Sequence, residues 1–253
     1  MVARNGIFIG TAGWTVRRAH QSLFAPGASH LARYSALLNA VEINSSFYRP
    51  HRPATYAKWA SIVPSEFHFA VKMPRAITHY GRLSDVEELL EGFLGECAAL
   101  GASLGPILIQ LPPSLRFDAH NSGIFFKMLR ARFGGAVALE PRHESWFASG
   151  AEKLLVKFEI ARVAADPIPS KVANVAASLP GGWRGLVYYR LHGSPKIYYS
   201  NYEIDRLRTL AGDLRERAKA GRIVWCIFDN TALGHATQNA LDLKAMLEGH
   251  THR

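Results

Sequence analysis

The chain has 253 residues, 48% of them apolar, and its 30 Lys and Arg against 20 Asp and Glu give a formal net charge of +10. This composition excludes an acidic disordered chain, and the length suits one barrel of alternating strands and helices, which runs to about 250 residues. No apolar run reaches the roughly 18 residues that span a bilayer, and the apolar stretch near the start is too short for a signal peptide. We therefore expect a cytoplasmic protein with no membrane partner, and the positive charge favours an anionic small molecule or nucleic acid as partner.

Eight short apolar segments bounded by polar, Gly or Pro residues predict β-strands. They lie 31 residues apart on average, close to the roughly 30 residues of a strand, a crossover helix and a parallel strand. Strict alternation predicts a parallel α/β fold, and eight repeats favour a single (β/α)8 TIM-type barrel domain over residues 1–253. The strands are predicted to begin near Gly6, Ala40, Phe67, Pro106, Ala136, Ala161, Leu186 and Ile223.

Segments with helical spacing lie between these strands. One of them, over residues 84–100, begins with SDVE, a capping-box pattern that predicts a helix start at Ser84 with Glu87 reaching back to the cap. The stretch 167–185 is rich in Pro and Gly and is predicted to be a long loop, which is a frequent location of functional residues. The other predicted helices are HLARYSALLN, PATYAKWASIV, IFFKMLRARF, AEKLLVKFEI, HATQNALDLKAMLEG and residues 203–220.

Every predicted strand ends in a polar or ionisable residue, and the carboxyl ends of barrel strands carry the active site. Charges that follow directly on an apolar run are costly unless they are paired. Glu42 and Glu140 are the candidates for general acid and base, with Asp229 as a third carboxylate. The candidate ligand-binding cations are Lys72, Arg142, Arg190 and His192, and the candidate orienting amides are Asn44, Gln110 and Asn230.

The same residues also admit a structural interpretation. A ring of ion pairs could close the top layer of the barrel, with Glu42 and Glu140 neutralised by Lys72 and Arg190. Both interpretations bring the charges together at the barrel mouth, and they differ in whether any of these charges is left for a ligand.

Aromatic and loop residues complete the candidate ligand-binding set. Trp14, Tyr48 and Trp146 lie near the same face, where they could stack on a base or a sugar ring, although packing beneath the loops is the alternative. His143 also falls near the mouth. Thr231 follows the last strand just before a helix, where free backbone amides commonly hold a phosphate, and an ordinary helix cap is the alternative.

No cofactor or metal is expected from the motifs. Neither GxGxxG nor GxxxxGK[ST] follows a strand, so the glycines that cradle phosphates in nucleotide-cofactor sites are absent from the sequence. The sequence also lacks HExxH and comparable metal-ligand spacing, and it carries no signal for an oligomeric state.

Seven motifs in order resemble the YecE-like family, also called domain of unknown function 72. They are GTAGW (10–14), VEINSSFYR (41–49), FAVKMPRAITH (69–79), LGPILIQLPPS (104–114), EPRHESW (140–146), YYRLHG (188–193) and FDNTALGHATQNA (228–240). The resemblance implies a TIM-type barrel and no settled activity. Its barrel is similar to that of apurinic endonucleases and sugar isomerases, which implies a nucleic-acid or sugar-phosphate substrate by fold analogy.

From these observations we expect an enzyme that binds a phosphorylated or otherwise anionic ligand at the carboxyl-end face, with phosphodiester hydrolysis as the favoured reaction. Two alternatives remain. One is a non-catalytic nucleic-acid or ligand-binding protein that uses the same basic face, for which affinity falls with salt. The other is a carbohydrate-active barrel that uses Glu42 and Glu140, whose separation would set the stereochemical outcome.

Overall fold

A ring of β-strands forms the centre of the molecule in the computed structural model, which describes residues 6–27, 29–169, 172 and 175–249. All strand pairs are parallel except that between β6 and the short β8. The strands are β1 (Ile7–Thr11), β2 (Ala40–Ile43), β3 (His68–Lys72), β4 (Leu104–Gln110), β5 (Val137–Glu140), β6 (Ile160–Arg162), β7 (Ala164–Asp166), β8 (Gly181–Gly182), β9 (Leu186–Leu191) and β10 (Ile223–Phe228).

Two junctions close the ring into a TIM-type barrel, which confirms the predicted fold class. One sheet has the order β1-β10-β9-β7 and the other β2-β3-β4-β5-β6-β8. Ala12 bridges Glu42 between β1 and β2, where the amide of Gly13 also donates to the carbonyl of Glu42 at 2.9 Å. On the opposite side only Val163 separates β6 from β7, so one interrupted strand joins both sheets.

Seven α-helices flank the strands in the described part of the chain, and they overlap all seven predicted helices. The helix predicted to start at Ser84 instead begins at Glu87, after a turn in which Arg82, Leu83 and Asp85 have positive φ. This left-handed turn, not a capping box, sets the start of the helix. The helices are α1 (His30–Ser35), α2 (Pro53–Ile62), α3 (Glu87–Cys97), α4 (Ala119–Arg132), α5 (Ser149–Lys157), α6 (Ile204–Lys219) and α7 (His235–Leu247).

The stretch predicted as a long loop, residues 167–185, contains a short 3-10 helix at Val175–Ser178 and strand β8. Residues 170, 171, 173 and 174 of this stretch lie outside the described part of the chain. None of the helices in that described part has the length and apolar character that crossing a membrane requires.

Two apolar layers hold the barrel together. One lies between strands and helices, and the other fills the barrel with small side chains such as Ala70 and Ala138 around the parallel rings of Tyr188 and Trp225, whose centroids are 6.1 Å apart. Side chains alternate along a strand, so a residue two positions after an interior residue also points inward. Because of this alternation, an inward-facing row of side chains can begin with apolar residues and end with a polar or charged residue at the carboxyl end of the strand.

Candidate functional site

Charged side chains converge at the carboxyl end of the barrel because they continue the inward-facing rows of the strands. Glu42 follows Ala40 by two positions, Lys72 follows Ala70 and Glu140 follows Ala138, and all three side chains are buried. The same spacing places Arg190 after Tyr188 and Asp229 after Ile227. The geometry therefore brings together the acidic and basic residues that the sequence singled out.

Arg190 lies at the centre of this group and is completely buried. Its guanidinium binds Glu42 through two contacts, Nη2 to Oε1 at 2.6 Å and Nε to Oε2 at 3.0 Å. Its Nη1 donates to Glu140 Oε2 at 2.7 Å, and Nη2 lies 3.2 Å from Asp229 Oδ2. One arginine thus contacts three carboxylates, and the planar fork of the guanidinium makes this geometry accessible to Arg but not to Lys.

The ion-pair interpretation is met for Arg190 and not for Lys72. Arg190 neutralises both Glu42 and Glu140, as that interpretation predicts. The ammonium of Lys72 forms no salt bridge with a carboxylate of any described residue and instead lies 4.1 Å from the centroid of the Phe47 ring. Burial and the nearby Arg190 lower the pKa of Lys72 to about 8, although Glu42, Glu140 and Asp229 counteract the shift. Lys72 is therefore a buried cation left without a paired anion.

His192 forms a second charged pair beside Arg190. Its Nδ1 lies 2.9 Å from Asp229 Oδ2, and its Nε2 lies 3.3 Å from Glu140 Oε1 without a hydrogen-bond partner among the described residues. Burial lowers the pKa of His192, but Glu140 and Asp229 outweigh it, so the net shift is upward. An Asp on one ring nitrogen, with only a long contact to Glu140 on the other, is an arrangement that suits proton transfer.

The carboxyl of Glu140 receives the largest number of donors in the site. Burial alone would raise its pKa, but Arg142, Arg190 and His192 hold that pKa well below its ordinary value. Arg142 Nε donates to Oε1 at 2.9 Å, and Gln110 Nε2 lies 3.2 Å from both oxygens. Glu140 is consequently ionised, and its charge orients the cations around it.

A small cavity of about 110 Å³ opens above this group. Its polar wall consists of Glu140, Arg142 and His192, and its apolar wall consists of Pro113, Pro167, Pro169 and Ile197. The side chain of Arg142 is 25% exposed, so part of its guanidinium remains accessible from the cavity. The cavity is large enough for a small anionic group, which would lie beside Arg142 and His192.

Comparisons with known proteins agree with this architecture. The family described as "Protein of unknown function DUF72" matches residues 8–253. The chain belongs to this family. The resemblance inferred from the seven motifs is thereby confirmed.

Relatives of this DUF72 protein cover it to different extents. UPF0759 protein YecE of Escherichia coli strain K12 is 28% identical over 148 residues, and this match spans only about half of each protein, 58% of the present chain and 52% of YecE. UPF0759 protein YunF of Bacillus subtilis is 24% identical over 272 residues, covering 96% of the chain and 95% of YunF. A DUF72 structure from Thermotoga maritima has a TM-score of 0.79 at 24% identity over 96% of this chain and 99% of that one, and it shows the shared fold.

Three predicted ligand-binding residues of this DUF72 chain make packing or loop contacts within the protein. Trp146 is completely buried and donates from Nε1 to the carbonyl of Leu115 at 2.9 Å. Trp14 packs edge-on against Trp59 with a centroid distance of 5.0 Å, and His143 Nδ1 lies 2.9 Å from the hydroxyl of Ser145. These contacts are the loop packing that the sequence allowed as the alternative to ligand stacking.

The predicted amides have different environments. Gln110 belongs to the charged group, whereas Asn230 is completely buried and donates to the carbonyl of Ser200 and to Asn239 Oδ1, both at 2.9 Å. Asn44 follows β2, and its buried Oδ1 has no partner among the described residues. Asn230 therefore fastens the loop after β9 to α7, and among these amides only Gln110 contacts the charged group.

Thr231 lines a second cavity, of about 270 Å³, at the start of α7. Gly13, Arg17 and Gly234 are further lining residues, and Gly234 precedes the helix in the left-handed conformation. Arg17 Nη2 donates to the carbonyl of Ala232 at 2.6 Å. The predicted helix start after the last strand is therefore accompanied by an open space, separate from the cavity at Glu140.

Two residues that the sequence analysis did not assign to the site belong to it. Tyr188 donates its hydroxyl to Glu42 Oε2 at 2.9 Å and completes the partners of that carboxylate. Phe47 supplies the ring beneath Lys72. Tyr188 lies two positions before Arg190 on the same strand, so the alternation of side chains along a strand places it on the same inward-facing side. The position of Phe47 depends on a short 3-10 helix at Ser45–Phe47 that the sequence did not predict.

The described part of the chain contains no group of three or more His, Cys, Asp and Glu residues arranged to hold a metal ion. The carboxylates at the mouth direct their oxygens toward Arg190, Arg142 and Tyr188. This arrangement favours ion pairing within the protein at these oxygens.

Proposed function

We propose that this protein is an enzyme that binds a phosphorylated or otherwise anionic ligand at the carboxyl-end mouth of the barrel and cleaves a phosphate ester by acid–base catalysis. The observation that carries the proposal is the buried ammonium of Lys72, which has no carboxylate partner among the described residues although the neighbouring charges are paired. A buried charge is costly unless it is compensated, and an anionic ligand would supply that compensation.

The charges around the mouth support an anionic ligand. Glu42, Glu140 and Asp229 are paired with Arg190, Arg142 and His192, whose pKa is raised, and the charge of Lys72 is additional to these pairs. Arg142 and His192 both border the 110 Å³ cavity. A ligand oxygen placed there would meet one guanidinium and one imidazolium, the donor types that bind phosphate best.

His192 is the group best suited to move a proton. It is oriented by Asp229 through Nδ1, so the imidazolium can protonate the leaving oxygen as water attacks and the phosphorus–oxygen bond breaks. Lys72 keeps its charge and holds the phosphate, while the attacking water passes its proton to a phosphate oxygen. The cleavage releases an alcohol and a protonated phosphate, whose proton returns to His192.

The two glutamates serve this proposal as positioning residues. Glu42 is completely buried, and both of its oxygens are occupied by Arg190 or Tyr188. Glu140 is held ionised by its cationic neighbours. The oxygens of both carboxylates are engaged by side chains of the protein, so this geometry gives no support to the carbohydrate-active alternative.

Ligand binding is tested by calorimetric titration with inorganic phosphate and ribose 5-phosphate at low salt. We expect Lys72→Met to weaken both affinities at least about tenfold, because a buried charge-assisted contact contributes about 1.5–3 kcal/mol. Lys58→Met, at an exposed position of α2, is the matched control and should bind as the wild type does. Absence of binding by the wild-type protein would overturn the proposal.

The reaction is tested by hydrolysis of a dinucleoside phosphate, whose alkoxide leaving group must be protonated. We expect His192→Gln to lower turnover by about 100-fold or more, the usual effect of losing a general acid. His68→Gln is the control, because His68 stands at the opposite end of the barrel, at the beginning of β3. Binding without any turnover, with or without Mg²⁺, would refute the catalytic part and favour the non-catalytic binding alternative.

A further inference from the structure

A groove of about 400 Å³ runs outward from the barrel mouth. It lies between the loop after β2, the π-helical turn Ala76–Tyr80 and helix α3. Phe47 lines this groove and also packs under the ammonium of Lys72, so the groove and the charged site share a wall. A ligand held at Lys72 would reach the groove by passing the Phe47 ring.

Cations and aromatic rings alternate along this groove. The rings of Phe47 and Tyr48 lie 5.0 Å apart at 90°, and the guanidinium carbon of Arg75 lies 5.6 Å from the Tyr48 centroid and 5.4 Å from that of Tyr80. Tyr48 is 62% exposed and Tyr80 68%, although large aromatic residues are usually covered. Exposed rings interleaved with arginine form the kind of surface on which nucleic-acid bases stack.

The opposite wall of the groove is acidic. Glu88 and Glu96 of α3 line it, and burial raises the pKa of Glu96. Carboxylates repel phosphate groups but accept hydrogen bonds from the exocyclic amines of bases. The groove therefore has a preferred direction, with a phosphate at the Lys72 end and an uncharged ring between the tyrosines and α3.

We infer that the anionic ligand of this site is a nucleotide, whose phosphate lies at Lys72 and Arg142 and whose base stacks on Tyr48 and Tyr80. The inference rests on the proposed function and specifies its substrate class. Since Glu88 and Glu96 oppose a second phosphate in the groove, the ligand is a mononucleotide or the last nucleotide of a strand, and not the interior of a polynucleotide.

The test compares adenosine 5′-monophosphate, ribose 5-phosphate and inorganic phosphate in calorimetric titrations of the full chain. Base stacking contributes about 1–3 kcal/mol, so we expect the nucleotide to bind about tenfold tighter than ribose 5-phosphate, or more. Tyr48→Leu combined with Tyr80→Leu should remove this difference and leave ribose 5-phosphate binding unchanged. Tyr199→Leu is the matched control, since Tyr199 is also exposed and packs on a cation, Lys196, but lies outside the groove.

The outcomes separate this inference from the proposed function. If phosphate and ribose 5-phosphate bind but the nucleotide binds no tighter, or if the double variant keeps the difference, the inference is overturned and the anion site stands. If neither phosphate nor ribose 5-phosphate binds, the proposed function itself fails. A single-stranded oligonucleotide that binds while the mononucleotide does not would also overturn the inference, in favour of a polynucleotide surface.

Discussion

Arg190 and Lys72 are neighbouring cations at the barrel mouth, and they differ in how their charges are compensated. Arg190 is completely buried and contacts Glu42, Glu140 and Asp229. Lys72 is also buried, at 4% exposure, but its ammonium lies over the ring of Phe47. It forms no salt bridge with a carboxylate in the described part of the chain. The comparison distinguishes a charge that is paired within the barrel from a charge that we propose is available to a ligand.

The largest expected effect comes from removing the compensated cation. Arg190→Met leaves Glu42 and Glu140 buried without their common partner, and breaking such a pair costs about 3–5 kcal/mol. We expect urea unfolding to show a loss of this size. Arg208→Met, which breaks an exposed pair with Asp205, is the control and should change the unfolding free energy by less than about 1 kcal/mol. An equal loss in both variants would refute the central role of Arg190.

Removing Lys72, the cation without a salt bridge, should stabilise the fold, in contrast to removing Arg190. Burial has lowered the pKa of Lys72 to about 8, so at pH 7 its charge destabilises the fold. We expect Lys72→Met to raise the free energy of unfolding by about 1–3 kcal/mol, and to remove the stability that the wild type gains as the pH rises through 8 toward 10.5. A clear loss of stability in Lys72→Met would mean that the ammonium is compensated within the protein.

A smaller effect is expected from the pH dependence of His192. Its folded pKa lies above the ordinary 6.5, so the imidazolium stabilises the fold fully below pH 6.5, and this contribution is lost as the pH rises through the raised pKa. The difference in unfolding free energy between the wild type and His192→Gln, measured from pH 5 to pH 9, should therefore shrink as the pH rises, and the control His68→Gln should keep the wild-type profile. A difference that stays constant with pH would assign no pH-dependent contribution to His192.

The sequence predicted the barrel and most members of the charged group for one physical reason. Strand spacing gave the number of repeats, and the ionisable residues at strand ends fall on the inward-facing side because they continue a two-residue alternation. Glu42, Glu140 and Arg190 therefore meet as expected. Tyr188 obeys the same rule and was missed because it carries no formal charge.

Other features depend on loop conformation, which local sequence patterns did not specify. The SDVE pattern suggested a cap at Ser84, but the left-handed residues of the preceding turn delay the helix to Glu87. The sequence predicts that Lys72 and Arg190 together neutralise the two glutamates, but Arg190 forms salt bridges with both Glu42 and Glu140. Which cation reaches which carboxylate depends on side-chain conformation, which the sequence pattern does not specify. Trp146 was assigned to the ligand from its position near the mouth, whereas its ring turns beneath the loop.

The affinity for sulfate as a function of pH tests most directly whether Lys72 is the charge available to a ligand. Sulfate remains a dianion across the range from pH 6.5 to pH 9.5, so any change reports on the protein. We expect the affinity of the wild type for sulfate to fall as the pH rises through about 8, where Lys72 loses its proton. Lys72→Met should bind sulfate weakly at every pH, without a change near pH 8. Sulfate affinity that is the same in the wild type and in Lys72→Met at every pH would contradict this prediction.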